Sequence, residues 1–208
     1  MRGGKDRSIE GLAWIPSPSY QKHTPNRLFS IGSSTYLTEW DITTGLAKQH
    51  LDSNAGAIWS LAPSPDGTTL ALGCEDGTII LVDVADGSFA YSRALERQSA
   101  RVLSLAWHPN GQFLVGGCAD STIRAWEVNH PYGRIVAQMR VEQNRKRGAK
   151  RVRKLDTLVW TVKVLSDGTI ISGDSSGSLK IWESKFWSLT QTFQVHKSDI
   201  LCLAIDEV

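Results

Sequence analysis

The densest chemistry in this 208-residue sequence is cationic. From Arg145 to Lys154 it reads RKRGAKRVRK. Arg145, Lys146, Arg147, Lys150, Arg151, Arg153 and Lys154 give seven bases in ten positions, with no acid among them. Such a density of guanidinium and ammonium groups neutralises phosphates, and the release of counterions makes that binding steeply salt-dependent. No aromatic residue is interleaved, so a contact with RNA through this stretch would be to the backbone and poor in sequence information. An acidic protein segment or an import receptor would satisfy the same charges, as would plain solvent.

Other reactive types are present but not organised. Cys74 and Cys118 follow Gly73 and Gly117 at the same place in two similar segments, as small residues fitting a tight strand end do, and Cys202 stands in an apolar run. No pair of cysteines has zinc spacing. His23, His50, His108, His130 and His196 fall in turns or loops without a matched nucleophile and carboxylate. Asp66, Asp76, Asp83, Asp167 and Asp174 read as turn acids, whose short side chains bond their own backbone. Gly116-Gly117 lies inside an apolar run instead of ahead of a helix, so it is no phosphate loop. No catalysis, cofactor, metal or small-molecule substrate is expected.

Composition fits that reading. Apolar residues make up 41% and charged residues 21%, a globular balance. No apolar run approaches the roughly 20 residues of a membrane-spanning helix, and no apolar core follows the charges of the first seven residues, so neither a membrane segment nor a signal peptide is expected. Three scattered cysteines argue against a disulfide scaffold and fit a reducing compartment. The net charge of +2 conceals an asymmetry: without the seven clustered bases, 16 bases face 21 acids. The chain is a mildly acidic body with one basic segment, and charge gathered in this way speaks of partners.

A repeat must position these groups. Ser64-Pro65-Asp66-Gly67, His108-Pro109-Asn110-Gly111 and Leu165-Ser166-Asp167-Gly168 each follow an apolar run and precede another. Each unit closes on an apolar residue and an acid: Trp40-Asp41, Val82-Asp83, Trp126-Glu127, Trp182-Glu183. The acids are 42, 44 and 56 residues apart; the first two spacings are those of a four-stranded propeller blade, and the surplus in the third falls at the basic segment. Short runs rich in Val, Ile, Leu and Trp alternate with Asp-Gly and Asn-Gly turns. Runs such as TIILVDV are apolar on both faces, as strands covered by neighbouring blades must be. The expected fold is all-β, an incomplete propeller. Its blades span approximately 8–52, 56–96, 100–140 and 157–195, a further blade starts over 198–208, and a basic insertion occupies 141–156. Four blades and a beginning do not close the usual ring of about seven, so the chain is expected to be part of a longer protein or an incomplete version of one. Tryptophans that recur with the period (Trp40, Trp126 and Trp182; Trp14 and Trp107; Trp59 and Trp160) are expected in the core, and Trp187 at the surface.

Trp40-Asp41, the S-P-D-G turn and GCEDG at Gly73 to Gly77 resemble WD40 units. The WD40 side-chain network is incomplete: Asp76 and Asp120 hold the turn position, where the other repeats have Ser34 and Ser176, and only His196 has the placement of the histidine. More narrowly, six segments together resemble the cirhin family, WD40 subunits of the t-UTP (UTP-A) subcomplex of the small-subunit processome. They are RSIEGLAW (Arg7 to Trp14), RLFSIG (Arg27 to Gly32), AIWSLAPSPDG (Ala57 to Gly67), GCEDGTI (Gly73 to Ile79), RQSARVLSLAWHPNG (Arg97 to Gly111) and LSDGTIISGDSSG (Leu165 to Gly177). The resemblance implies part of an N-terminal propeller that works in the nucleolus of the nucleus, with other t-UTP and small-subunit processome proteins as partners. It implies a non-catalytic scaffold for ribosome biogenesis, organising proteins and pre-rRNA in the early small-subunit (18S rRNA) processome. The basic segment has no role to inherit from that family; its contact with pre-rRNA is an expectation from charge. The alternative is a substrate receptor or peptide-binding module of a ubiquitin ligase or chromatin complex, which would use converging arginines or acids on one propeller face.

Overall fold

The structure is a computed structural model; it describes residues 8–15, 26–142, 144–145, 154–194 and 196–206. Sixteen of its strands form four sheets of four. The first sheet holds β1 (Gly11–Ile15), β2 (Arg27–Ile31), β3 (Tyr36–Asp41) and β4 (Leu46–Asp52). The second holds β5 (Ile58–Pro63), β6 (Thr69–Cys74), β7 (Ile79–Asp83) and β8 (Ala90–Ala94). In the third are β9 (Val102–Trp107), β10 (Phe113–Cys118), β11 (Thr122–Glu127) and β12 (Arg134–Arg140). A two-stranded ladder of β13 (Asn144–Arg145) and β14 (Lys154–Leu155) follows. The fourth sheet is β15 (Val159–Val164), β16 (Ile170–Asp174), β17 (Ser178–Glu183) and β18 (Ser188–Gln194). Within each of the four, consecutive strands pair antiparallel in sequence order. The fold is an open run of β-propeller blades, with no α-helix among the described residues.

Side-chain parity builds the cores. Between the first two sheets, Phe29 and Leu37 meet Leu70, Leu72, Ile80 and Val82. From the second sheet's other face, Ala71, Ile79 and Leu81 meet Leu105, Leu114 and Trp126. The third sheet turns Val115, Ile123 and Ala125 toward Val162, Ile170 and Trp182. In the second and third strands of each sheet, even-numbered residues of the later sheet thus pack on odd-numbered residues of the earlier one, because successive side chains of a strand point to opposite faces; Leu105, beyond the register shift in β9, has the other parity. Parity explains why β7 reads as a continuous apolar run: both its faces are covered. Each fully buried Leu or Ile contributes about 1.5–3 kcal/mol by leaving water.

Turn chemistry fixes the hairpins. Asp66, Asp76, Asp83, Asp167 and Asp174 each accept a hydrogen bond from the backbone N–H two residues on, at 2.8–3.0 Å. Gly77 has φ +87°, and a Cβ there would stand 2.2 Å from the Gln98 carbonyl oxygen. Only glycine lets the β6–β7 turn press on the connection entering the next sheet.

Several expectations are corrected. Leu201 to Ile205 form no strand and Cys202 is exposed; a strand needs a hydrogen-bonding neighbour, and no second strand of that unit follows in this sequence. Trp126 and Trp182 are buried, yet Trp14 is 48% and Trp59 39% exposed. Trp14 lies on the face of β1 turned away from the second sheet, and Trp59 sits at a break in its ladder. Trp187, expected outside, is partly buried: with φ +54° it folds back so that its ring meets Phe113 edge-on at 5.9 Å.

Candidate functional site

The basic segment grows from a fixed base. Val141 donates its N–H to the Ser121 carbonyl at 3.0 Å, and Thr157 donates its own to the Ser121 hydroxyl at 2.7 Å. The Thr157 hydroxyl closes the neck on the Glu142 carbonyl at 2.8 Å. Ser121 can serve both strands because it occupies the left-handed region, at φ +65°. Beyond the neck, Asn144 pairs with Leu155 and Arg145 with Lys154. Two basic residues are thus register partners across an antiparallel ladder. Of the seven bases, the structure describes the backbone of Arg145 and Lys154; Lys146, Arg147, Lys150, Arg151 and Arg153 lie outside the described residues.

Other charged groups are structural, and sequence reading had missed them. Glu39, 2% exposed, receives two parallel bonds from Arg27 at 2.8 and 2.9 Å, with Lys48 at 3.2 Å and Gln49 at 2.5 Å. Burial pushes the carboxyl up, but the bonds from Arg27, Gln49 and Lys48 outweigh it and hold Glu39 down at about 2. The Arg27 guanidinium also reaches the second sheet, donating to the carbonyls of Val84 and Ser88 at 2.7 and 2.8 Å. Arg93 repeats the device one sheet later, donating to the carbonyls of Val128, His130 and Pro131. In the third sheet Asp120 pairs with Arg124 at 2.6 Å; burial opposes the ionised carboxyl, but Arg124 and Thr122 together lower it. The fourth sheet carries the acid two positions earlier, where Asp174 meets the buried Lys180 at 2.5 Å. The available signal was a charge inside an apolar middle strand: Glu39 in YLTEWD, Arg124 in TIRAWE, Lys180 in SLKIWE.

Two of the three cysteines are buried. Burial raises the thiols of Cys74 and Cys118 to about 12 and about 11. Among the described residues, no group of three or more His, Cys, Asp or Glu stands close enough to hold a metal ion. A cleft of about 410 Å³ between the second and third sheets is lined by Asp66, Arg93, Trp107, Asn110 and Asn129. Its guanidinium is committed to the three carbonyls and its Trp107 indole donates to Ala62 O at 3.0 Å, so the cleft is a seam between blades.

Two of the closing tryptophans bond a serine on the neighbouring strand. Trp40 Nε1 donates to Ser30 Oγ at 2.7 Å and Trp182 Nε1 to Ser172 Oγ at 2.9 Å. At the corresponding place the third sheet has Gly116, and Trp126 Nε1 finds no partner among the described residues. In the second sheet both positions are apolar, Val82 and Leu72.

Four-stranded meanders stacked face to face, closing on a tryptophan and an acid and turning on Asp-Gly, define a repeat propeller. The match to the WD domain, G-beta repeat family covers residues 45–83, 91–127 and 150–183, and the chain belongs to that family. Among curated proteins it is similar to U3 small nucleolar RNA-associated protein 4 of Schizosaccharomyces pombe, 45% identical over 99% of this chain, and to its Saccharomyces cerevisiae counterpart, 42% identical over 99%. The Homo sapiens homolog is 34% identical over 98%. The chain spans about a quarter of these relatives, 27%, 26% and 27% of their lengths.

Proposed function

We propose that the chain is part of a non-catalytic scaffold in ribosome biogenesis, working in the nucleus and nucleolus as a subunit of the early small-subunit processome. Its blades, bounded near 8–52, 56–96, 100–140 and 157–195, are rigid platforms for other t-UTP proteins. The insertion at 141–156 adds attraction to the phosphates of pre-rRNA through Arg145, Lys146, Arg147, Lys150, Arg151, Arg153 and Lys154. The observation that carries this reading is the 45% identity, over 99% of the chain, with a protein named for its association with the U3 small nucleolar RNA. Support for the RNA contact comes from the seven bases gathered in ten positions with no acid among them.

Mechanistically, the sheets present loops whose many contacts sum to a stable assembly, and the basic segment supplies long-range electrostatic capture. The test is to isolate the tagged full-length protein from its own cells on a sedimentation gradient and identify co-migrating proteins and RNA. Migration with a large particle containing pre-ribosomal RNA is expected. Migration with a ligase or histone complex free of ribosomal precursors would overturn the proposal.

A further inference from the structure

The inner strands of the second, third and fourth sheets share one irregularity. Pairing jumps from Ile58 to Ser60, from Val102 to Ser104 and from Val159 to Thr161, leaving Trp59, Leu103 and Trp160 as the extra residues. A bulged residue leaves the ladder and its side chain is re-aimed. Two of the three are tryptophans, and both are anchored by the indole N–H. Trp59 Nε1 donates to Glu75 Oε2 at 2.5 Å, and Arg101 binds Glu75 Oε1 at 2.6 Å while its guanidinium lies 5.7 Å from the centre of the Trp59 ring. Trp160 Nε1 donates to Asp199 Oδ2 at 2.8 Å. Trp59 is 39% exposed and Trp160 partly so.

Each indole is therefore an aromatic plate held at its edge with part of its ring in water. Glu75 lies in the β6–β7 turn and Asp199 in the connection leaving β18. In antiparallel sheets the connections between second and third strands, and those from a fourth strand to the next first strand, emerge at one end. The basic insertion, between β12 and β15, emerges at that same end.

We propose that Trp59 with Arg101, and Trp160, form a stacking site for unpaired bases of single-stranded RNA drawn in by the basic insertion. This rests on the reading that the insertion binds RNA. It supplies what the insertion lacks, since RKRGAKRVRK has no aromatic residue. Stacking needs only a π-face, which every base offers, and a guanidinium beside the ring strengthens it. RNA fits better than a peptide because both indole N–H groups, which would recognise a peptide carbonyl, are already bonded to acids. Glu75 is balanced by Arg101, and the insertion brings seven bases in ten positions to this end.

The test uses the full-length protein, a fluorescein-labelled oligouridylate and anisotropy titrations at several salt concentrations. Trp59→Ala and Trp160→Ala should each weaken binding about 5- to 150-fold, the equivalent of one lost base stack, and leave the log–log salt slope unchanged. Trp59→Tyr should restore most of the affinity. Neutralising the seven bases should flatten the slope instead. If the alanine variants bind like the parent while the neutralised variant loses binding, the stacking site falls and the RNA reading of the insertion stands. If no variant changes binding, both fall. A tyrosine variant as weak as the alanine one would mean a structural role and overturn the proposal, as would alanine variants that keep RNA affinity but lose a co-purifying protein.

Discussion

Replacing Glu39 by Gln tests the cross-blade network most directly. Glu39 moves from an ordinary 4.5 to about 2 on folding. At about 1.4 kcal/mol per tenfold change, its ionised form is favoured by about 3 kcal/mol. The folded-state value is depressed, so this stability is fully present above the unfolded value near 4.5 and is lost as pH falls through the folded value near 2. Glu39→Gln removes it at neutral pH and leaves the Arg27 guanidinium buried with its charge unpaired, a loss of about 3–5 kcal/mol. Arg27 also holds the carbonyls of Val84 and Ser88, so the damage should cross the blade boundary. Hydrogen exchange of the full-length protein, read on peptides covering residues 27–41 and 84–88, should accelerate about 100-fold or more. The parent's protection in the same peptides should fall between pH 4.5 and pH 2, and the variant's should fall less, since it keeps only the lowered carboxyls elsewhere, such as Asp41. In the other sheets the residue before the closing Val or Trp is Leu81, Ala125 or Ile181, so the apolar double variant Arg27→Met/Glu39→Leu should recover protection over 27–41. It should not recover 84–88, whose carbonyls lose their donor. Unchanged exchange at 84–88 in Glu39→Gln would refute the claim that Arg27 couples the two sheets.

Further outcomes are expected. Trp182→Phe should destabilise more than Trp126→Phe, by about 1 kcal/mol, because it breaks the bond to Ser172 where Trp126 has none among the described residues; paired melting curves decide this. Gly77→Ala should cost clearly more than Gly87→Ala, since both have φ above +80° but a Cβ at Gly87 meets nothing within 4 Å. Equal melting shifts would refute the clash at the Gln98 carbonyl. Iodoacetamide at pH 8 should label Cys202 and spare Cys74 and Cys118, whose buried thiols stay protonated. With the seven bases neutralised, thermal stability should hold while RNA binding weakens; if all seven contact phosphate, the parent's log–log salt slope is at most about −5 for single strands.

The sheets were legible because their signals are local. Strand runs, Asp-Gly turns and a closing Trp-acid step recur along the chain, and period-2 alternation sorts the faces. Side-chain partnerships were less so. A one-dimensional pattern cannot say that the acid missing from the turn at Ser176 reappears as Asp174 against Lys180, or that Arg27 reaches carbonyls 57 and 61 residues away. Recurrence alone misassigned Trp59: a residue can keep its place in the repeat and still leave the core, because a bulge turns it outward. The basic segment was legible as composition, and the opposition of Arg145 and Lys154 emerged once the ladder's register was known.

Face parity also bears on how such a chain changes length over evolutionary time. A single residue inserted within β6 or β10 would exchange the two faces of everything beyond it in that strand, putting Leu70-type side chains where Ala71-type ones belong. Unless a bulge absorbed the extra residue, both flanking seams would be disturbed together. Lengthening is tolerated where a bulge takes up the extra residue, as at Trp59, or where the ladder has already ended. The neck closed by Ser121 and Thr157 is one such place: it holds the next sheet in position whatever is carried beyond it. Growth there leaves every seam intact, which makes that connection the part of the blade array where new sequence can be tried at least cost to the fold.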